Sequence, residues 1–227
     1  MKAPTLRAVL FDFDGTLWDS ESAVFEVMRD LYREHGQELT LETWSGAVGT
    51  VGGFEPYATL HRLVGPGMDV DAVRDSTEAR ILEAAREVPM RPGVEAFLRQ
   101  VDEAGVARAL VSSDRSEWLV TNLERLGWSH GWAAMVCAEG IAEHAKPDPH
   151  LYLAALEILD VPPTSALAVE DSPNGIRAAK AAGVPCLCVP NAITETLDLS
   201  GADALSSSLD GLDLLGVWSA VNAEKGR

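Results

Sequence analysis

The feature that most constrains the fold is a regular alternation of strand-like and helix-like segments in the second part of the chain. The strand-like apolar runs are 106–111, 133–138, 166–170 and 184–189, and the helical segments are 93–104, 116–126, 149–159 and 174–182. An alternation of this kind is typical of a parallel sheet that is covered by helices on both faces. The sequence therefore predicts an α/β fold.

Residues 18–89 interrupt this pattern, because they contain helical segments only. These segments are 20–35, 41–48, 54–64 and 71–87, and Pro89 and Arg91-Pro92-Gly93 end the block. The block directly follows the first predicted strand, so the sequence predicts an insert. We expect residues 1–17 and 90–227 to form the α/β core and residues 18–89 a helical unit, with hinges near 18–20 and 88–91.

Two aspartates follow that first strand. The apolar run 8–10 leads into Phe-Asp-Phe-Asp-Gly-Thr, so Asp12 and Asp14 lie at the end of a buried strand, where open α/β sheets bind ligands. Neighbouring carboxylates repel each other unless a cation lies between them or one keeps a proton. An EF-hand loop is excluded, because Leu17 and Ala23 occupy its glycine and glutamate positions. A metal-dependent reaction at an aspartate is the first hypothesis, and an ordinary acidic turn is the alternative.

Three later segments place further polar or charged residues next to predicted strands or helices. Ser112-Ser113-Asp114 follows the strand at 106–111, Lys146 precedes a proline-started helix, and Glu170-Asp171 ends the strand at 166–170. Taken singly, the serines and acidic residues are also ordinary helix caps, and the lysine could be a solvated one. Parallel strands, however, bring such segments to one edge of the sheet. A cluster of four carboxylates there needs a divalent cation, and a lysine to offset the remaining charge.

This set of residues resembles the haloacid dehalogenase superfamily of aspartate-nucleophile phosphotransferases. The four motifs of that superfamily match in order over about Arg7 to Pro190, at Asp12 with Asp14, Ser112, Lys146, and Glu170 with Asp171. The resemblance implies a Rossmann-like parallel-sheet core and makes the helical insert a cap over the acidic cluster.

The resemblance also implies a mechanism. Asp12 would attack phosphorus to form an aspartyl-phosphate, and Asp14 would protonate the leaving alkoxide and then deprotonate water. Mg²⁺ would be held by the Asp12 side chain, the Asp14 backbone carbonyl and Asp171, with Glu170 beside it.

Binding of the phosphoryl group is assigned in the same way. Ser112 would bind the transferring phosphoryl group, and Lys146 would balance charge on the phosphate and on Asp12. Thr16, Gly15 and Ser113 are further candidate phosphate contacts.

The second aspartate and the insert bear on the reaction class. Dehalogenases of this superfamily lack a carboxylate at the position of Asp14, so phosphate esters are favoured. A β-phosphoglucomutase-like mutase is the main alternative, but Val24 stands where such mutases carry a hinge histidine, and the glycine-rich loop 48–53 contains no cation. We therefore predict a phosphatase for a small phosphorylated metabolite, such as a sugar phosphate or phosphoglycolate. A non-catalytic phospholigand-binding module is the more distant alternative.

Composition excludes some partners. The net charge of −17 argues against binding nucleic acid or an anionic membrane, and no apolar stretch approaches membrane-spanning length. Cys137, Cys186 and Cys188 lie in apolar runs without zinc spacing, which favours buried thiols and a cytoplasmic location. The sequence does not define the oligomeric state, and a monomer is compatible with it.

Overall fold

The computed structural model describes residues 4–45 and 54–223. Its centre is one sheet of six parallel strands in the order β3-β2-β1-β4-β5-β6. The strands are β1 Ala8–Phe11, β2 Ala107–Ser112, β3 Ala134–Cys137, β4 Ala166–Glu170, β5 Cys186–Cys188 and β6 Ala204–Leu205. The chain builds outward from β1 first to one side and then to the other. The carboxyl ends of β1, β2 and β4 therefore flank the point where the strand order reverses, which is the usual ligand crevice of such sheets.

Helices cover both faces of the sheet, as predicted. They are α5 Val94–Glu103, α6 Ser116–Leu126, α7 His150–Leu159, α8 Pro173–Ala181 and α9 Leu214–Ala223. Successive strand residues point to opposite faces. Val9 and Phe11 accordingly pack with α5, α6 and α9, whereas Ala8 and Leu10 pack with α7 and α8. The α/β prediction is confirmed.

The segment between β1 and α5 is helical. It contains α1 Ser20–Glu34, α2 Leu41–Ser45, α3 Pro56–Val64 and α4 Val70–Arg86. Residues 20–86 are called the helical insert below. Its apolar side chains form a cluster of their own around Phe25, Tyr32 and Leu60, and among the described residues outside the insert only Ile193 joins it. The predicted helix 41–48 is described only as far as Ser45, and the loop 48–53 lies outside the described residues.

The two connections of the helical insert meet at Trp18. This fully buried residue forms an isolated antiparallel bridge with Met90, and its indole Nε1 donates to the Val88 carbonyl at 3.1 Å. The guanidinium of Arg125 lies 4.9 Å from the centre of the Trp18 ring. The outgoing and returning chains are thus joined side by side near residues 18 and 88–90, and their action as hinges stays a prediction.

The C-terminal elements were not predicted. Strand β6 has only two residues, which is too few to show the alternation of a strand. Helix α9 is short and mostly apolar, so it lacks the polar face that marks a surface helix. Trp218 of α9 nevertheless anchors the chain start, since its Nε1 donates to the Pro4 carbonyl at 2.7 Å. Within residues 4–45 and 54–223, no helix combines the length and apolar character that crossing a membrane requires.

Candidate active site

The structure brings the predicted polar residues to the carboxyl edge of the three central strands. Asp12 follows β1, Ser112 is the last residue of β2, and Glu170 is the last residue of β4. Parallel pairing sets this register, because Phe11 lies opposite both Leu110 and Val169. Residues one or two positions further along therefore converge at one end of the sheet.

Lys146 is held between two carboxylates. Its Nζ lies 2.5 Å from Oδ1 of Asp12 and 2.7 Å from Oε1 of Glu170, and all three residues are buried. Burial alone would lower the pKa of Lys146, but Asp12 and Glu170 outweigh it and raise that pKa above its usual range. The ammonium group stays charged there. Tyr152 completes the arrangement, because its hydroxyl donates to Oε1 of Glu170 at 2.6 Å.

One lysine does not neutralise the carboxylates around it. Asp12, Glu170 and Asp171 each place an oxygen within 4.8 Å of the others. Oδ2 of Asp12 and Oε2 of Glu170 are buried and have no hydrogen-bond partner among the described residues. Burial raises the pKa of Glu170 to about 7, and burial followed by the Asp12 and Glu170 charges raises the pKa of Asp171.

These three carboxylates fit a divalent cation. Unpartnered buried carboxylate oxygens are costly, and hard cations such as Mg²⁺ and Ca²⁺ bind oxygen ligands of this kind. A bound cation would remove both the repulsion and the missing contacts. The donor set is thus compatible with the predicted metal, whose identity belongs to the proposal below.

Asp171 is oriented by two neighbours. Its Oδ2 accepts from Nδ2 of Asn191 at 2.8 Å, and its Oδ1 lies 3.4 Å from the Thr16 hydroxyl. Asn191 is itself fixed, since its Oδ1 accepts from the backbone N–H groups of Ile193 and Thr194. The carboxylate of Asp171 is therefore positioned before any ligand arrives. Sequence reasoning missed Asn191, which belongs to no motif.

Arg91 is a second residue that sequence reasoning missed. Its Nη1 donates to the carbonyls of Gly15 at 2.6 Å and Val189 at 2.8 Å, and its Nη2 donates to that of Pro190 at 2.6 Å. Gly15 has a φ of 80°, and a Cβ there would lie 2.5 Å from Oδ2 of Asp171. Arg91 thus holds a turn that only glycine fits, and its place in a proline–glycine turn gave no hint of this contact.

Asp14 lies apart from the three-carboxylate group. Its Oδ1 accepts from the Ser20 hydroxyl at 2.6 Å and from Nε1 of Trp118 at 3.0 Å, while its Oδ2 is buried without a partner among the described residues. Burial, followed by the Asp114 charge, raises the pKa of Asp14 to about 8. The two predicted aspartates therefore occupy different surroundings, one beside a lysine and the other beside two neutral donors and the carboxyl group of Asp114. That difference suits two different chemical roles.

The two predicted serines also differ. The Ser112 hydroxyl accepts from the backbone N–H of Asp114 at 3.1 Å, which leaves its own proton available to a ligand. The Ser113 hydroxyl accepts from the backbone N–H of Lys146 at 3.1 Å and so ties the lysine segment to β2. Thr16, which is buried, contacts Asp171 instead.

A cavity of about 310 Å³ opens beside Asp14 and reaches the helical insert. It is lined by Asp14, Ser20, Glu21, Val24, Trp44, Asp114 and Trp118. None of the three clustered carboxylates lines it, so the cavity meets the catalytic edge at Asp14. It is called the insert cavity below.

This fold and this edge of carboxylates, lysine and serine define an α/β enzyme suited to metal-assisted chemistry on an anionic substrate. A family model described as haloacid dehalogenase-like hydrolase matches residues 6–183. The chain belongs to this family of hydrolases.

Relatives of known name agree with this assignment. The chain is 33% identical over 219 residues to "Putative phosphatase YhcW" of Bacillus subtilis, which covers 96% of this chain and 99% of that protein. Both the hydrolase and the phosphatase predictions are confirmed at the level of class.

Solved structures give the same fold. A mutant of CbbY from Rhodobacter sphaeroides, in complex with xylulose-(1,5)bisphosphate, has a TM-score of 0.73 at 29% identity and covers 93% of this chain and 99% of that one. A "putative beta-phosphoglucomutase" from Thermotoga maritima has a TM-score of 0.74 at 26% identity and covers 97% of this chain and 99% of that one.

Proposed function

We propose that this protein is a Mg²⁺-dependent phosphatase that hydrolyses a small phosphorylated metabolite, such as a sugar phosphate, through an aspartyl-phosphate on Asp12. The observation that carries the proposal is the state of the Asp12 carboxylate. Lys146 fixes Oδ1 at 2.5 Å, while Oδ2 is buried without a partner among the described residues. A nucleophilic carboxylate must be held in a fixed orientation and must keep an oxygen that no protein group binds, and Asp12 meets both conditions.

The remaining predicted residues have compatible positions. Asp12, Asp171 and Glu170, together with the backbone carbonyl of Asp14, would hold the metal, which when bound would neutralise phosphate charge and favour in-line attack. Ser112 can donate its hydroxyl proton to a phosphoryl oxygen, and Lys146 can offset charge that builds up at Asp12. Thr16 and Ser113 are proposed to act mainly by holding Asp171 and the Lys146 segment in place.

Asp14 is the proposed acid and base. Burial keeps a proton on it near neutral pH, as its raised pKa of about 8 indicates. It faces the insert cavity, so the leaving alcohol would depart on that side. Asp14 can then take a proton from the water that attacks the aspartyl-phosphate.

The helical insert is proposed to act as a lid over this edge. The division into a core of residues 1–17 and 90–227 and an insert of residues 18–89 rests on the separate apolar cluster of the insert and on the paired hinge at Trp18. A cytoplasmic location stays a prediction from the cysteines.

The direct test is phosphate release from p-nitrophenyl phosphate by the purified protein. We expect release with Mg²⁺ and none after EDTA treatment, and Ca²⁺ serves as the comparison cation. A protein that binds inorganic phosphate but releases none from the ester under any divalent cation would instead be a binding module.

The mutase alternative needs a separate measurement. Val24 lines the insert cavity, and its side chain offers no proton or hydrogen bond to a sugar that changes its orientation between two phosphoryl transfers. Incubation with β-glucose 1-phosphate, a trace of glucose 1,6-bisphosphate and Mg²⁺ separates the two reactions. We expect free phosphate to form faster than glucose 6-phosphate, and the reverse order would favour the mutase.

A further inference from the structure

We propose that the insert cavity selects phosphate esters whose alcohol part is uncharged and hydroxyl-bearing, that it rejects esters with a second anionic group, and that Glu21 sets this preference. The inference rests on the proposed function, because it concerns the leaving-group side of the same site. It chooses between the two substrate types that the sequence leaves open, favouring a sugar phosphate over phosphoglycolate.

The charges around the insert cavity are the first observation. Three of its seven lining residues are the carboxylic acids Asp14, Glu21 and Asp114, and no described lining residue is Lys, Arg or His. A second anion on the substrate would be brought beside these acids with no described cation in the lining to pair with it, and burying an unpaired anion weakens binding.

The metal does not relieve this repulsion. The three carboxylates that fit a cation are Asp12, Glu170 and Asp171, and none of them lines the insert cavity. Lys146 is likewise absent from the lining and is already paired with two carboxylates. The positive charges of the site are therefore directed at the transferring phosphate and not at the alcohol part.

Unpartnered polar atoms are the second observation. Oε2 of Glu21 and Nε1 of Trp44 are both buried, and neither has a hydrogen-bond partner among the described residues. Both residues line the insert cavity, so the wall offers one acceptor and one donor. Burial, followed by the Asp171 charge, raises the pKa of Glu21. A hydroxyl group can bond to both atoms in either protonation state of Glu21, whereas a carboxylate or phosphate can only accept and cannot bond to an ionised Glu21. The polar atoms and the charge thus favour the same class of ligand.

Size agrees with this class. A volume of about 310 Å³ is at the small end of ligand pockets, and Trp44 and Trp118 line it with indole carbons against which the carbon side of a sugar can pack. A single monosaccharide fits such a space without a second bulky group.

The test uses pairs of esters with the same number of carbon atoms, in which only one member carries a carboxylate besides its phosphate. The pairs are glycerol 3-phosphate with 3-phosphoglycerate, and glucose 6-phosphate with 6-phosphogluconate, measured with Mg²⁺ at pH 7.5. In each pair, we expect kcat/KM to be at least tenfold higher for the ester that lacks the carboxylate. Glucosamine 6-phosphate should be turned over at least as well as glucose 6-phosphate, and its rejection together with 6-phosphogluconate would overturn charge as the basis.

The variants assign the preference to Glu21. Glu21→Gln should lower the ratio within each pair at least threefold, and Asp114→Asn should lower it less. Glu26→Gln is the matched control, because Glu26 lies on the same helix, is exposed and pairs with Arg29. An unchanged ratio in Glu21→Gln would overturn the proposal, and hydrolysis of p-nitrophenyl phosphate by the parent protein would leave the phosphatase function standing.

A binding measurement distinguishes a failure of the phosphatase proposal from a failure of the selectivity proposal. If no ester is hydrolysed, the phosphatase proposal fails, and the thermal shift produced by each pair member with Mg²⁺ still tests the selectivity. We expect a larger shift from glycerol 3-phosphate than from 3-phosphoglycerate. Equal shifts, or a larger one from the carboxylate, would contradict the inference.

Discussion

The catalytic edge and the insert cavity lie next to each other, and each leaves buried polar atoms suited to a different ligand. At the catalytic edge, Lys146 and Asp171 each have two partners within the protein, and the unpartnered oxygens of Asp12 and Glu170 belong to the group that fits a cation. In the insert cavity, Glu21 and Trp44 keep buried polar atoms for which the described residues offer no partner. The first arrangement fixes a reaction geometry, and the second leaves room for a ligand to complete the contacts. Chemistry and substrate choice are thus built on different parts of the chain, and Asp14 belongs to both.

The largest effect should come from the catalytic edge, at its proposed nucleophile. Asp12→Asn keeps the shape of the side chain but removes the attacking oxygen, so turnover should fall at least about a thousandfold on every substrate. Circular dichroism should show an unchanged fold. Activity within tenfold of the parent protein would remove Asp12 from this role.

Asp14 should show a loss that depends on the leaving group, because it faces the insert cavity. Asp14→Asn should lower kcat/KM for an alkyl phosphate by about a hundredfold to ten-thousandfold. The loss on p-nitrophenyl phosphate should be much smaller, since that leaving group needs little protonation. Equal losses on both esters, measured under single-turnover conditions, would argue against proton donation by Asp14.

Replacing Lys146 measures how much the charge balance at the catalytic edge contributes to the free energy of unfolding. Lys146→Met leaves Asp12 and Glu170 buried without their cation, and urea unfolding of the metal-free protein should show a loss of about 3–5 kcal/mol. Lys180→Met is the control, because that lysine pairs with Asp203 at a partly exposed site, where about 1 kcal/mol or less is expected. Losses of similar size would mean that the buried charges relax without their lysine.

The smallest effect should come from residues that hold Asp171. Asn191→Ala removes the donor 2.8 Å from Oδ2 of Asp171 and should weaken Mg²⁺ binding about tenfold. Asp171→Asn should weaken it further, because it removes a ligand charge. Calorimetric titration of substrate-free protein measures both, and Asn222→Ala, which loses only a bond to the Trp218 carbonyl, is the control. Unchanged affinity in Asn191→Ala would mean that Asp171 needs no support.

The strands and the catalytic edge were predictable because they depend on local patterns. Continuous apolar runs mark the buried strands, and parallel pairing then brings the residues at the end of each run together, as Asp12, Ser112 and Glu170 illustrate. The family resemblance added the proposed roles. The roles of individual residues stay predictions, whereas the α/β sheet and the hydrolase class are confirmed.

The supporting residues were not predictable, because their contacts are with distant backbone groups. Arg91 binds the Gly15 carbonyl across 76 positions, and Asn191 reaches Asp171 from the far end of β5 across 20. Such contacts need no particular neighbours in sequence, so no motif marks them. The same holds for Trp118, whose indole reaches Asp14 across 104 positions and which the sequence shows only as a helix residue.

The anchorage of Arg91 limits how the proposed lid can swing. The turn at Gly15 and the returning chain at Arg91 are fastened to the same end of β5, and Trp18 and Met90 bridge just beyond them. A rotation of the helical insert must therefore pivot close to Trp18, and displacement grows with distance from that pivot, as along a lever. Glu21 lies three residues from Trp18 and would move little. The part of the insert cavity around Glu21 would therefore keep its position whether the lid is open or closed.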